Sequence, residues 1–176
     1  MADDSNQNKT NSQKLDVPIN EYYQLVQTEY NCERDRKQSI ETRSGIILTV
    51  SMAFFAFVID KVDLKLIFEK FNEPLTFFLF VKILSGLLTY ISYFLSVLFS
   101  MWSLKSKIYA FYNVGNITTA TLLSSRIPTF GQIILDYVDI IKTNRDVNNK
   151  KLQHFNWSIL CLVVCIICLC IYMNLK

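Results

Sequence analysis

Seven residues of one apolar segment carry most of the chemistry this chain offers. Lys82, Ser85, Thr89, Ser92, Ser96, Ser100 and Ser103 recur at intervals of three and four, the spacing that gathers side chains on one stripe of a helix. The rest of the segment is Leu, Ile, Phe, Val and Tyr. A hydroxyl-lined face on such a helix has two uses. It lets neighbouring helices approach closely and hydrogen-bond, which is the commoner one. Alternatively it faces water as the wall of a pore, and because three spans from one chain enclose no conduit, that use requires a homo-oligomer. Lys82 is compatible with both: it sits near enough to the segment's end to snorkel, yet on the stripe's own face, where intramembrane charge turns toward a bundle interior or water.

A second group lies earlier in the chain. Arg34, Arg36, Lys37 and Arg43 stand among Glu33, Asp35 and Glu41. Mixed charge of this kind ordinarily makes a solvated helix face, with pairs such as Glu33 and Lys37 at i, i+4 adding about 0.2–0.5 kcal/mol each. As a functional surface it is where a partner protein or ligand is sensed, since guanidinium groups suit bidentate anion contacts. No Gly-rich phosphate loop accompanies them.

Nothing here specifies an enzyme. His154 is the sole histidine and reads as an interfacial side chain beside Trp157; Asp136 and Asp139 read as polar-face residues. Four of the five cysteines, Cys161, Cys165, Cys168 and Cys170, fall inside one hydrophobic run without His or carboxylate nearby, and Cys32 stands alone. They behave as small polarizable hydrophobes, so neither a metal, a cofactor nor a disulfide framework is expected. A formal net charge of +3 is too small to argue for nucleic acid as a partner.

The elements that must position these groups follow from hydropathy. The chain has 176 residues, 51% of them hydrophobic, with 4 Gly and 3 Pro, an all-α profile poor in turn formers. Residues 44–59, 83–102 and 157–173 are uncharged, each close to the roughly 17–25 apolar residues that cross a bilayer. The expected layout is a disordered tail over 1–18, a cytoplasmic helix over 19–43 capped by Asn20, a first span over 44–60, and an external amphipathic loop over 61–74. A second span over 75–102, a cytoplasmic helical region over 103–156 and a third span over 157–173 follow. The second span, about 42 Å at 1.5 Å per residue, exceeds a hydrocarbon core of roughly 30 Å and must tilt or protrude. Two spans extend into long cytoplasmic helices that form a small bundle. The first forty residues contain no signal-peptide hydrophobic region.

Orientation follows from Lys and Arg. Arg34, Arg36, Lys37 and Arg43 precede the first span, and Lys105, Lys107, Arg126, Lys142, Arg145, Lys150 and Lys151 lie between the second and third. Only Lys61, Lys65 and Lys70 lie in the first loop, and Lys176 closes the chain. The excess places the N-terminus inside and the C-terminus outside.

The run Tyr30-Asn31-Cys32-Glu33-Arg34-Asp35-Arg36-Lys37-Gln38-Ser39-Ile40-Glu41-Thr42-Arg43-Ser44-Gly45-Ile46-Ile47-Leu48 carries a charged helix into a span. Ile140-Ile141-Lys142-Thr143-Asn144-Arg145-Asp146-Val147-Asn148-Asn149-Lys150-Lys151 does the same for the last one. In this layout the chain, from about Glu21 onward, resembles small bacterial transmembrane defence effectors of the SLATT and Pycsar type. The resemblance implies an inner-membrane effector of antiphage defence that oligomerises and perturbs membrane integrity or potential on an upstream signal, often a cyclic nucleotide. The chain departs from effectors with a separate nucleotide-binding domain, so an upstream sensor protein is the expected partner alongside the lipid bilayer. The alternative is a non-conducting membrane scaffold or sensor subunit that recruits a partner through its cytoplasmic helices.

Overall fold

The computed structural model describes the backbone of residues 4–63, 65, 76–105, 109–112 and 126–175, and side chains from residue 19 onward within those ranges except at 126 and 127. It is helical: α1 spans Asp4–Lys61, α2 Phe77–Leu104 and α3 Arg126–Asn174. Each contains a stretch long and apolar enough to cross a membrane, within Ile19–Lys61, Phe77–Leu104 and Pro128–Asn174.

The helix boundaries differ in detail from the sequence expectation. The backbone of residues 4–18, read from sequence as a disordered tail, continues α1, and Asn20 lies inside the helix instead of capping it. α2 begins after Thr76, which is extended (φ −78°, ψ 151°) and makes no side-chain cap bond. α3 starts ahead of Pro128, where a missing N–H costs nothing because the first-turn amides have no intrahelical partner. The amphipathic segment expected over 61–74 falls mostly outside the described residues, as does part of the helical region expected over 103–156.

Two compact units divide the chain, Met1–Lys37 with Lys107–Asn148, and Gln38–Ser106 with Asn149–Lys176. In the first, an aromatic cluster joins α1 to α3. Tyr137 meets Tyr23 and Tyr30 edge-on with ring centroids 6.3 and 5.6 Å apart and stacks on Tyr112 at 5.3 Å, while Tyr23 meets Phe130 at 5.8 Å. Such pairs add about 0.5–1.5 kcal/mol each beyond the area they bury. Val26 and Ile141 are buried in the same unit.

The second unit is more polar inside than outside. Its buried positions include Ser44, Ser51, Ser85, Thr89, Ser92, Ser96, Ser100, Ser103 and Ser158. Val58, Val62, Ile83, Leu169 and Tyr172 form an apolar cluster at one end. Exposed instead are Phe57, Ile59, Phe78, Phe80, Leu84, Leu88, Ile91, Phe94, Val163, Ile166 and Ile167. That arrangement reverses what water drives: large apolar side chains belong inside a soluble core. Lipid removes the penalty for exposing them and leaves small residues as the best helix contacts. The chain has the build of a multi-pass membrane protein.

Candidate functional site: a hydroxyl seam and a buried carboxylate

The stripe's residues owe their common face to α2's uninterrupted helical period. Ser85, Thr89, Ser92, Ser96, Ser100 and Ser103 are buried, none more than 7% exposed. Lys82 is half-buried, its Nζ 5.6 Å from the Tyr172 ring centroid.

The hydroxyls bond across helices in a definite order. Ser96 Oγ donates to the Ser158 carbonyl and Ser158 Oγ to the Ser96 carbonyl, each at 2.9 Å, a reciprocal clasp between α2 and α3. Because Ser158 has spent its proton, Ser100 Oγ must be the donor in the 2.6 Å contact with Ser158 Oγ. Ser103 Oγ likewise donates to the Lys151 carbonyl at 3.0 Å, so Ser44 of α1 donates in the 2.8 Å Ser44–Ser103 pair. Thr89 turns its own proton to the Ser85 carbonyl, and its carbonyl accepts Cys165 Sγ–H at 3.4 Å.

These contacts set the register. Ser103 pairs with Lys151, Ser96 with Ser158, Thr89 with Cys165 and Lys82 with Tyr172. Each step of seven residues down α2 matches a step of seven up α3, the antiparallel heptad register of supercoiled helices. On α1, Ser44, Ser51 and Val58 keep the same period, and all are buried.

Sequence reasoning missed the partners of the α2 stripe. Ser44, Ser158 and Lys151 bond to it, while the Ser51 hydroxyl is buried without a hydrogen-bond partner among the described residues; the signal that finds these positions is the seven-residue spacing of Ser44 to Ser51 and of Lys151 to Ser158, running on to Cys165 and Tyr172. Lys151, 1% exposed, forms an ion pair with Glu41 at the Ser103 end of the seam.

In the first unit the charge cluster disperses instead of converging on one site. Arg34 is exposed and lies 4.0 Å from neighbouring Asp35. Arg36 approaches Glu33 at 3.7 Å, and Lys37 Nζ sits 4.6 Å from the Tyr109 ring centroid. Arg43, in the second unit, is exposed.

Glu33 is the centre that sequence did not single out. Its side chain is buried; Oε1 accepts Arg145 Nε and Oε2 accepts Asn148 Nδ2, both at 2.9 Å, and the same Asn148 amide also donates to the Glu33 carbonyl. Arg145 reaches Glu29 as well, at 3.2 Å. Burial alone pushes the Glu33 carboxyl up, but the bonds from Asn148 and Arg145 and the charges of Arg36 and Arg145 outweigh it and hold the group below its ordinary value. Asn144 grips the chain after α2, donating to the Ala110 carbonyl and accepting its N–H, each at 2.9 Å. The Tyr109 hydroxyl and Asn148 Oδ1 are both buried, and burial pushes the Tyr109 phenol up against the opposing effect of the Asn148 side chain.

Comparison with family models, with curated proteins and with solved structures returns no match. The seam supplies neither a nucleophile with a base nor a set of metal ligands. It supplies hydrogen bonds between helices in an apolar surround.

Proposed function

We propose that this chain is a bacterial inner-membrane protein with its N-terminus in the cytoplasm, acting as a scaffold or sensor subunit that does not conduct in its resting state. One observation carries the reading: the stripe's hydroxyls are buried, and those at Ser44, Ser96, Ser100, Ser103 and Ser158 bond to the chain's own helices. A wall of hydroxyls already bonded within the protomer does not line a water path. The first unit then serves as the receiving surface. Its partner is a protein in preference to a nucleotide, because among the described residues the guanidiniums of Arg36 and Arg145 are turned to Glu33 and not paired toward a phosphate. In vesicles holding a potassium diffusion potential, the reconstituted chain should leave the decay rate within twofold of that of protein-free vesicles. A steady tenfold leak without any trigger refutes the reading.

A second reading, the membrane-perturbing effector of antiphage defence, is favoured by a property of the same seam. Ser96 and Ser158 form a reciprocal, self-complementary pair, and the same bonds can form between copies. Triggering would then exchange partners within a chain for partners in an oligomer and open the apolar unit. An oxidised Ser100→Cys/Ser158→Cys variant, with the native cysteines replaced, should suppress depolarisation of overexpressing cells. Equal depolarisation by locked and unlocked protein removes this reading.

A further inference from the structure

One face of α3 is left over once the seam is made. The seam takes Lys151, Ser158 and Cys165. Gln153, Asn156 and Leu160 fall on the opposite side of the helix at spacings of three and four, and all three are exposed. Neither amide side chain bonds to a described residue.

Register places this face in the bilayer. Ser44, Ser103 and Lys151 share one level of the unit. Five residues on from Lys151, Asn156 lies about 7.5 Å deeper at 1.5 Å per residue, level with Thr49 of α1 and Leu98 of α2. α1 carries no charge between Arg43 and Asp60, and Thr49 stands inside that stretch. At the same depth α2 turns Leu95 and Leu98 outward, as lipid demands, whereas α3 turns out an amide whose hydrogen bonds hydrocarbon cannot supply.

An open recess of about 390 Å³ marks the face, and its lining has the period of a helix. Asn149, Leu152, Gln153 and Asn156 stand at i, i+3, i+4 and i+7; Gln153, Asn156, Trp157 and Leu160 repeat the pattern one step on. Four residues so spaced form the hole that receives a knob from a facing helix. With Gln153 at an a position and Asn156 at d, these two overlapping holes are the ones that successive layers of a parallel pair present to each other.

From this we infer that the face receives the same face of a second copy, α3 packed on α3 in parallel about a two-fold axis along the membrane normal, with Gln153 and Asn156 bonded to their counterparts. The inference rests on the membrane reading proposed above and leaves the seam closed in each copy. Three features select a second copy as the occupant. Copies inserted in the same sense bring α3 alongside α3 in parallel, the orientation that the two holes fit. A carboxamide is donor and acceptor at once, so an identical residue across a two-fold axis satisfies it. Finally, Gln153 and Asn156 supply knob and hole together, so one copy holds everything the other needs.

The test uses the full chain. Alkaline extraction of membranes comes first, because recovery in the soluble fraction overturns the membrane reading and this inference together. For chain retained in the membrane, energy transfer between donor-tagged and acceptor-tagged copies of the unaltered sequence in vesicles should report a complex of two. Gln153→Cys, Asn156→Cys and Leu160→Cys, each in a chain whose native cysteines are replaced by alanine, should join their counterparts on oxidation about tenfold more than Leu98→Cys, exposed at the same depth of α2. Gln153→Leu/Asn156→Leu should raise the dissociation constant read by energy transfer about tenfold, while Leu98→Ala leaves it unchanged. Absence of energy transfer, equal cross-linking at all four positions, or unaltered association in the double variant overturns the inference and leaves the membrane reading standing. Cross-linking of Ser100→Cys chains to Ser158→Cys chains in mixed vesicles also overturns it, in favour of exchanged seams.

Discussion

Replacing Ser158 tests the seam at its most connected point. Its hydroxyl donates to the Ser96 carbonyl and accepts from Ser100, and its carbonyl accepts from Ser96. Ser158→Ala removes the first two bonds and leaves the third. Interhelical hydrogen bonds in membrane proteins average about 0.6 kcal/mol, so the loss should be about 1.2 kcal/mol. Ser158→Leu adds volume at a residue with no exposed surface. Overpacking of that kind costs about 1–3 kcal/mol more, giving a total of about 2–4 kcal/mol. The assay is reversible unfolding in mixed micelles by dodecyl sulfate titration, followed by far-ultraviolet circular dichroism. Val163→Leu, at an exposed position of the same helix, is the control and should stay within about 0.5 kcal/mol. The Ser100→Ala/Ser158→Ala double variant should lose less than the sum of the singles, because both singles break one shared bond. A Ser158→Leu chain as stable as the original would mean that the seam is open at that level, and the packing argument would be wrong.

The first unit and the Glu41–Lys151 pair make two further predictions for the same assay. Glu33→Gln should cost about 1.5–3 kcal/mol at neutral pH, the range for a hydrogen bond to a charged group. Because the folded-state pKa of Glu33 lies below its ordinary value of 4.5, its contribution is full above that value and is lost as pH falls through the folded pKa. The gap between the original and Glu33→Gln should accordingly close on acidification below about pH 4.5, and a gap constant from pH 7 to about pH 3 refutes the assignment. Glu41→Ala should cost about 3–5 kcal/mol by stranding Lys151, which is 1% exposed, whereas Glu41→Met/Lys151→Met should recover most of it; equal damage in the two would deny that the stranded charge is the cause.

Most of the apolar unit was legible because a bilayer imposes length and polarity on each segment separately. Ser85 through Ser103 could be placed on one face from spacing alone, since α2 has no proline and its one glycine leaves the period intact. The partners could not be placed, because which residue of α3 stands opposite Ser96 depends on antiparallel register, a property of two helices jointly. Once the register is known, the heptad running through Lys151, Ser158, Cys165 and Tyr172 is visible in the sequence too. Glu33 escaped for a different reason. Among Arg34, Asp35, Arg36 and Lys37 nothing local marks one acid as buried; Arg145 and Asn148, which make it so, lie more than a hundred residues away.

The seam's energetics set what a triggered opening would require. Among the hydroxyl bonds between described helices, five belong to the serine seam and have separate donors or acceptors: Ser44 to Ser103, Ser103 to Lys151, Ser96 to Ser158, Ser158 to Ser96 and Ser100 to Ser158. At about 0.6 kcal/mol each they hold the helices together by about 3 kcal/mol before packing is counted. That alone limits a protomer with all five broken to roughly one part in a hundred. A second copy offering the same hydroxyls restores the bonds at no net loss, so the barrier belongs to the lone protomer and not to the assembly. If the chain is the membrane-perturbing effector, disruption should therefore rise more steeply than linearly with its density in the bilayer, while a scaffold shows no leak at any density. Dye release from vesicles over a hundredfold range of protein-to-lipid ratio separates the two proposed functions on that single criterion.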